Sequence, residues 1–158
     1  MTAMPALPDA VALRLSGGAA AAPGDGAHDS HHLSTADADG WPRGTHLSEG
    51  EVLAMPDGTV RFCTWKSSRS AENLRRDARA LLSVAAGGAC WELRLRCRER
   101  PAPPGAPDLA YFLATAESAE EHRAKYASVE RPLTFRLADP AAAVARWAAQ
   151  HAALRALA

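Results

Sequence analysis

Residues Ala89 to Arg98 alternate strictly: Trp91, Leu93, Leu95 and Cys97 take one parity, and Glu92, Arg94, Arg96 and Arg98 take the other. A period of two buries one face of a strand but cannot form the apolar stripe of a helix, so a sheet has to receive this segment. Its charged side is either a solvated face or a cationic wall beside a cleft that receives an anion. Gly87-Gly88 before it reads as a turn or bulge, and Leu81 to Ala86 as a buried strand leading in. Further strands are expected at Leu33–Ala36, with its start near His28, at Trp41–Glu51, and at Arg131–Leu137 with Leu133, Phe135 and Leu137 inward. Asp37-Ala38-Asp39-Gly40 and Met55-Pro56-Asp57-Gly58 carry hairpin turn chemistry.

The stretch from Arg61 to Val84 carries the most chemistry. Val60 and Phe62 alternate with Arg61 and Cys63, as in a strand with one buried face. Lys66, Ser67, Ser68, Arg69 and Ser70 then offer three hydroxyls and two cations with no apolar side chain, which makes a surface or ligand-facing turn. A short helix follows over residues 71–76, with Ser70 as N-cap, Glu72 in the first turn and Leu74 inward. Unpaired N–H groups at a helix start, with hydroxyls and Arg69 beside them, suit a phosphate. The plain alternative is a capped helix with Lys66 and Arg69 in solvent. Trp65 beside the turn is either a stacking platform or a rim residue.

At 158 residues and 47% apolar content the chain is long enough for one core, and its net charge of zero argues against a dedicated nucleic-acid or anionic-membrane binder. Cys63, Cys90 and Cys97 form no CxxC and no even framework, so reduced thiols are expected. No apolar run approaches the roughly 18 residues of a membrane span, and no charged end with a long apolar stretch opens the chain; a cytoplasmic location is the expectation. There is no GxSxG elbow, Walker loop, HExxH or paired carboxylate set, so hydrolysis and phosphoryl transfer have no residues to rest on.

Residues 1–27 read as a loose start, a short helix over Leu7–Leu15 and a Gly/Ala/Pro connector, leaving 28–158 as the main domain. His28, His31 and His32 invite a zinc reading with Asp29 or a distant ligand, but a strand sends His31 and His32 to opposite faces and no fourth ligand is spaced to join them. The plain reading is the exposed start of a strand. Residues 107–129 predict a helix in two pieces, with Leu109, Phe112, Leu113 and Ala116 as one stripe and Ser118-Ala119-Glu120-Glu121 restarting it in capping style. Asp139-Pro140 opens a C-terminal helix with Val144, Trp147, His151 and Leu154 on one face, His151 being a packed residue rather than a base.

The ordered set Leu33, Thr35, Gly40, Pro42, then Phe62, Thr64, Ser68, Arg69, Ser70, Leu74, then Asp77-Ala78-Arg79 resembles the pyridoxamine 5'-phosphate oxidase-like family of FMN-binding split β-barrels, over about Leu33 to Leu137. The resemblance implies a mainly β fold, an antiparallel split β-barrel with short helices; many family members end near the final strand, so the C-terminal helix read above is expected to cover the barrel or to contact the partner subunit. The resemblance also implies a homodimer with FMN at the interface, a small-molecule substrate, and oxidoreductase chemistry carried by the flavin rather than by a catalytic side chain. Carried onto this chain, Ser68, Arg69 and Ser70 would hold the phosphate, Cys63 and Thr64 would contact the flavin through the strand, and His46, Leu47 and Ser48 would border its ring. Ser70 stands where the family has lysine, and Thr45 and Gly50 stand where members oxidising the vitamin phosphate carry cations. Pyridoxamine phosphate oxidase activity itself is therefore not expected, although Arg43, on the same strand face as Thr45, could partly substitute. Alternatives are a member carrying F420, a haem-binding member with His31, His32 or His46 as axial ligand, and a cofactor-free dimeric binding or regulatory module.

Overall fold

In the computed structural model, which describes residues 7–17 and 26–158, eight antiparallel strands form one curled sheet with three helices set against it. The strands are β1 (Ala27–Ala36), β2 (Pro42–Ser48), β3 (Val52–Ala54), β4 (Val60–Thr64), β5 (Arg79–Ala86), β6 (Ala89–Arg100), β7 (Ala110–His122) and β8 (Thr134–Arg136). The helices are α1 (Asp9–Arg14), α2 (Arg69–Asp77) and α3 (Pro140–Ala156). The expected loose start at Met1–Pro5 and most of the connector lie outside the described residues.

The sheet order is β2-β1-β5-β6-β7-β4-β3, with β8 paired to β1. The two end strands, β2 and β3, are joined by a single helical turn, Glu49–Glu51. The sheet therefore curls until its edges meet through that turn and not through a ladder, which is the geometry of a split barrel. Phe62 and Phe112, register partners on β4 and β7, stack at 5.2 Å inside it, among Leu33, Leu47, Leu82 and Leu93. The alternation of Ala89–Arg98 holds as expected: Leu93, Leu95 and Cys97 are buried, and Arg94, Arg96 and Arg98 are exposed.

Several expectations are corrected. Residues 110–122 are strand, not helix: β7 pairs along β6 from Cys90↔His122 to Arg100↔Tyr111 and with β4 on its other side. Two ladders outweigh the helix propensity of Ala and Glu, because propensity is worth tenths of a kcal/mol per residue. A bulge at Arg94/Leu95 absorbs the one-residue mismatch of the long pair. β4 is buried on both faces, since α3 covers Arg61 and Cys63. Arg61 donates to the carbonyls of Leu154 and Arg155 at 2.9 and 3.0 Å, capping the C-terminal end of α3 with a cation. The second strand stops at Ser48, and the last one shrinks to three residues with Leu133 exposed rather than inward. Val144 also faces out, whereas Trp147, His151 and Leu154 are buried, and Asp139 caps α3 through Ala142 N–H at 3.1 Å as expected.

α3 lies over the seam between the sheet ends. A Cβ on Gly50 would meet Trp147 Cδ1 at 2.2 Å, so only glycine lets the indole seat there. Trp147 is 2% exposed and has no room to retreat. Gly50→Ala is expected to cost about 1–3 kcal/mol by overpacking, read as a lower urea midpoint with the same slope; an unchanged midpoint would mean that the seam is not packed as described.

Candidate functional site

The polar turn after β4 becomes the N-terminus of α2. Ser68, with extended backbone, is the N-cap and accepts from Ala71 N–H at 3.1 Å. This corrects Ser70 as the expected cap and lengthens the helix by two residues at its start. Ser70 turns inward instead, 1% exposed, and shares a 2.8 Å hydrogen bond with Thr45 of β2. Thr64 Oγ1 and Ser68 Oγ stand 3.4 Å apart. Thr45, Thr64, Ser68 and Ser70 thus gather at one helix start, where the dipole favours an anion.

One buried amide orients this cluster. Asn73 Nδ2 donates to Thr35 Oγ1 at 3.0 Å and to Asp37 Oδ1 at 2.8 Å, tying α2 to the β1–β2 hairpin. Arg43 Nε also donates to Asp37, at 3.0 and 3.2 Å. The hydrogen bond from Arg43 and then that from Asn73 hold the Asp37 carboxyl below its usual range. Arg69 reaches the same carboxylate at only 3.8 Å and keeps 61% of its side chain exposed. It is the cation at this helix start with capacity left for a ligand, because Lys66 is engaged with Asp108 and Arg75 is held bidentately by Glu99.

The eight residues expected at a cofactor site do not all meet. Thr64, Ser68, Arg69 and Ser70 do. Leu47 is 1% exposed in the barrel core, and Cys63 lies under α3 with Tyr111 and Leu154. Ser48 belongs to the turn joining β2 and β3, its N–H donating to Glu51 at 2.7 Å. His46 points to the opposite face of β2, beside its register partner His32, with ring centroids 5.1 Å apart. These two border a cavity of about 130 Å³ with Ser30, Ser83, Cys90 and Leu133. His31 is buried on the other face, so the three candidate axial histidines do not share a site. His28 and His31 are buried rather than exposed, and no three His, Cys, Asp or Glu among the described residues are arranged to hold a metal ion. Sequence reading missed Asp37 and Asn73 as organisers. An Asn one position before the inward-facing Leu74 of a short helix was the available signal, because a buried amide needs partners. Trp65, 69% exposed, precedes the α2 turn, and Trp41, 72% exposed, lies on the hairpin that carries Asp37.

The set would suit one phosphate at the α2 start through Arg69 and the helix end, with the Ser68 hydroxyl engaged in the cap and Ser70 buried against Thr45. It lacks the cations that the resemblance would place at positions 45, 50 and 70: Thr45 and Ser70 satisfy each other, and Gly50 lies under Trp147.

The strand order, with the sheet ends joined through a single turn, defines a split β-barrel. No family model matches the chain. It is 30% identical over 124 residues, 76% of its length and 79% of the relative's, to the uncharacterized protein YclD of Bacillus subtilis, and it belongs to that protein's family. Among solved structures, HupZ of Group A Streptococcus aligns with TM-score 0.52 at 11% identity, over 65% of this chain and 90% of that one. Atu2129 of Agrobacterium tumefaciens, a protein of unknown function, aligns with TM-score 0.50 at 19% identity, over 61% and 52%.

Burial pushes the Cys63 and Cys97 thiols up to about 12 each, so both stay protonated and unreactive at neutral pH. In the folded protein a thiol reagent should label half-buried Cys90 first and reach the other two only on unfolding. Fast labelling of Cys63 under native conditions would place it outside the core.

Proposed function

We propose that the protein is an FMN-binding split-barrel homodimer, a small flavin oxidoreductase. The observation that supports it is Arg69: a largely exposed guanidinium at the start of a capped helix, among four hydroxyl side chains, with only a 3.8 Å contact to an acid. Arg69 and the first turn of α2 would bind the phosphate, and Ser68 would orient that turn. Trp65, exposed and adjacent in sequence to the turn, would be available to stack on the ring. FMN would supply the redox chemistry, and the chain would position it and shield it from water.

Titration with FMN, followed by quenching of tryptophan fluorescence and by a yellow species that survives gel filtration, tests this reading. Arg69→Ala should weaken binding about 10–100-fold, the loss of one charge-assisted pair. A colourless protein at saturating FMN would defeat it, and F420 and haem can be titrated in the same way.

A second reading is a cofactor-free dimeric module. The Thr45–Ser70 hydrogen bond favours it, since two neutral hydroxyls satisfy each other where a phosphate site would carry cations, and Asp37 already supplies an anion to Arg43. A stable dimer by light scattering that binds none of the three cofactors would select it.

A further inference from the structure

A polar pocket under α1 takes no part in the phosphate site. Arg14 Nη2 donates to Asp29 Oδ2 at 2.7 Å and to Glu49 Oε1 at 3.2 Å, tying α1 to β1 and to the turn after β2. Directly below, Arg14, His31, Glu49 and His151 border a cavity of about 10 Å³, the space of one water. His31 is 1% exposed and Glu49 8%; among the described residues His31 Nδ1 has no hydrogen-bond partner, and His28 Nδ1 and Glu49 Oε2 have only each other, at 3.5 Å. Buried groups left this way are costly as they stand and costlier when charged in the wrong sense.

The charged and titratable neighbours among the described residues come from five elements. α1 brings Arg14; β1 brings His28 and Asp29; the turn brings Glu49; the segment before β8 brings Arg131, bonded to Asp29 at 2.8 Å; and α3 brings His151 and Arg155. His151 Nε2 donates to the Glu49 carbonyl at 2.7 Å. The two carboxylates therefore already serve two arginines. A proton on His31 would add a third positive charge to two carboxylates that already face two arginines, the remaining Glu49 oxygen lying 3.5 Å from His28 Nδ1.

α1 has little else to hold its polar side. It is six residues long, lacks a side-chain N-cap bond, and stays in place through Leu7, Val11 and Leu15 in the barrel core and the Leu15 carbonyl, which accepts Ala54 N–H at 2.8 Å. Lifting it would uncover the apolar end of the barrel.

We propose that the Arg14–Asp29–Glu49 clamp above buried His31 is an acid-operated latch, in which protonation of His31 releases α1 and opens the barrel end while the sheet stays folded. Burial first, and Arg14 second, lower the His31 imidazole to about 4 from its ordinary 6.5. With α1 released the imidazole regains its ordinary value, so the open form binds the extra proton between those limits. The closed-to-open ratio is constant above the ordinary value and falls as pH drops toward 4, in total on the order of a hundredfold. Burial lowers His151 as well, which acts in the same direction.

The test follows a hydrophobic dye that lights up on exposed apolar surface, together with far-ultraviolet circular dichroism, from about pH 7.5 to 4.5. The expected result is a reversible rise in dye signal below about pH 6 with the sheet spectrum unchanged, shifted to lower pH in His31→Gln. Dye binding that appears only with loss of the sheet spectrum, or an unshifted curve in the variant, overturns the latch. Should the variant not fold, the His31 imidazole can be titrated by NMR in the wild type: a midpoint below about 5 supports the latch, and one near 6.5 contradicts it.

Discussion

The Asn73 amide, bonded to Thr35 and Asp37, is the contact on which the candidate site depends. An isolated nine-residue helix is unstable in water, so α2 owes its direction to what it docks against. Leu74 supplies the apolar part of that docking and Asn73 the directional part. Together they leave the first turn of α2 beside Thr45 on β2 and Arg69 at the edge of Asp37. The same carboxylate gathers Arg43, so one half-buried acid sets the position of the hairpin, the helix and the exposed guanidinium.

The barrel itself rests on a second constraint, the seam where β2 and β3 meet through Glu49–Glu51. Sheet edges left open invite further pairing, and here α3 packs on the turn that joins them and on β3. Trp147 seats on Gly50, Arg61 caps the helix end, and His151 donates to the Glu49 carbonyl. Gly50 is part of a packing joint, where any side chain would collide with the indole.

Much of the fold was legible because it is written in alternation and turn chemistry. Leu93, Leu95 and Cys97 against Arg94, Arg96 and Arg98 forced a strand, and Gly40, at φ 88°, sits in the turn where positive φ was needed. β7 was not legible, because Ala and Glu favour helix locally and only its two neighbouring strands decide otherwise. Half of the site was legible in the same way: Thr64, Ser68, Arg69 and Ser70 lie together because they flank one turn. Cys63 went to a core because β4 is covered on both faces, which its residues alone do not reveal, and Leu47 because it is the residue of β2 that turns into the barrel. Asp37 and Asn73 are distant in sequence and meet only through the docking of α2.

The central claim is that the start of α2 is a cradle for a phosphoryl group. Calorimetric titration of the same protein with FMN and with riboflavin, which has the ring but no phosphate, tests it most directly. The account predicts that FMN binds at least about tenfold more tightly, with the difference shrinking as salt screens the Arg69 guanidinium. Equal affinity for the two, at any salt concentration, would contradict it.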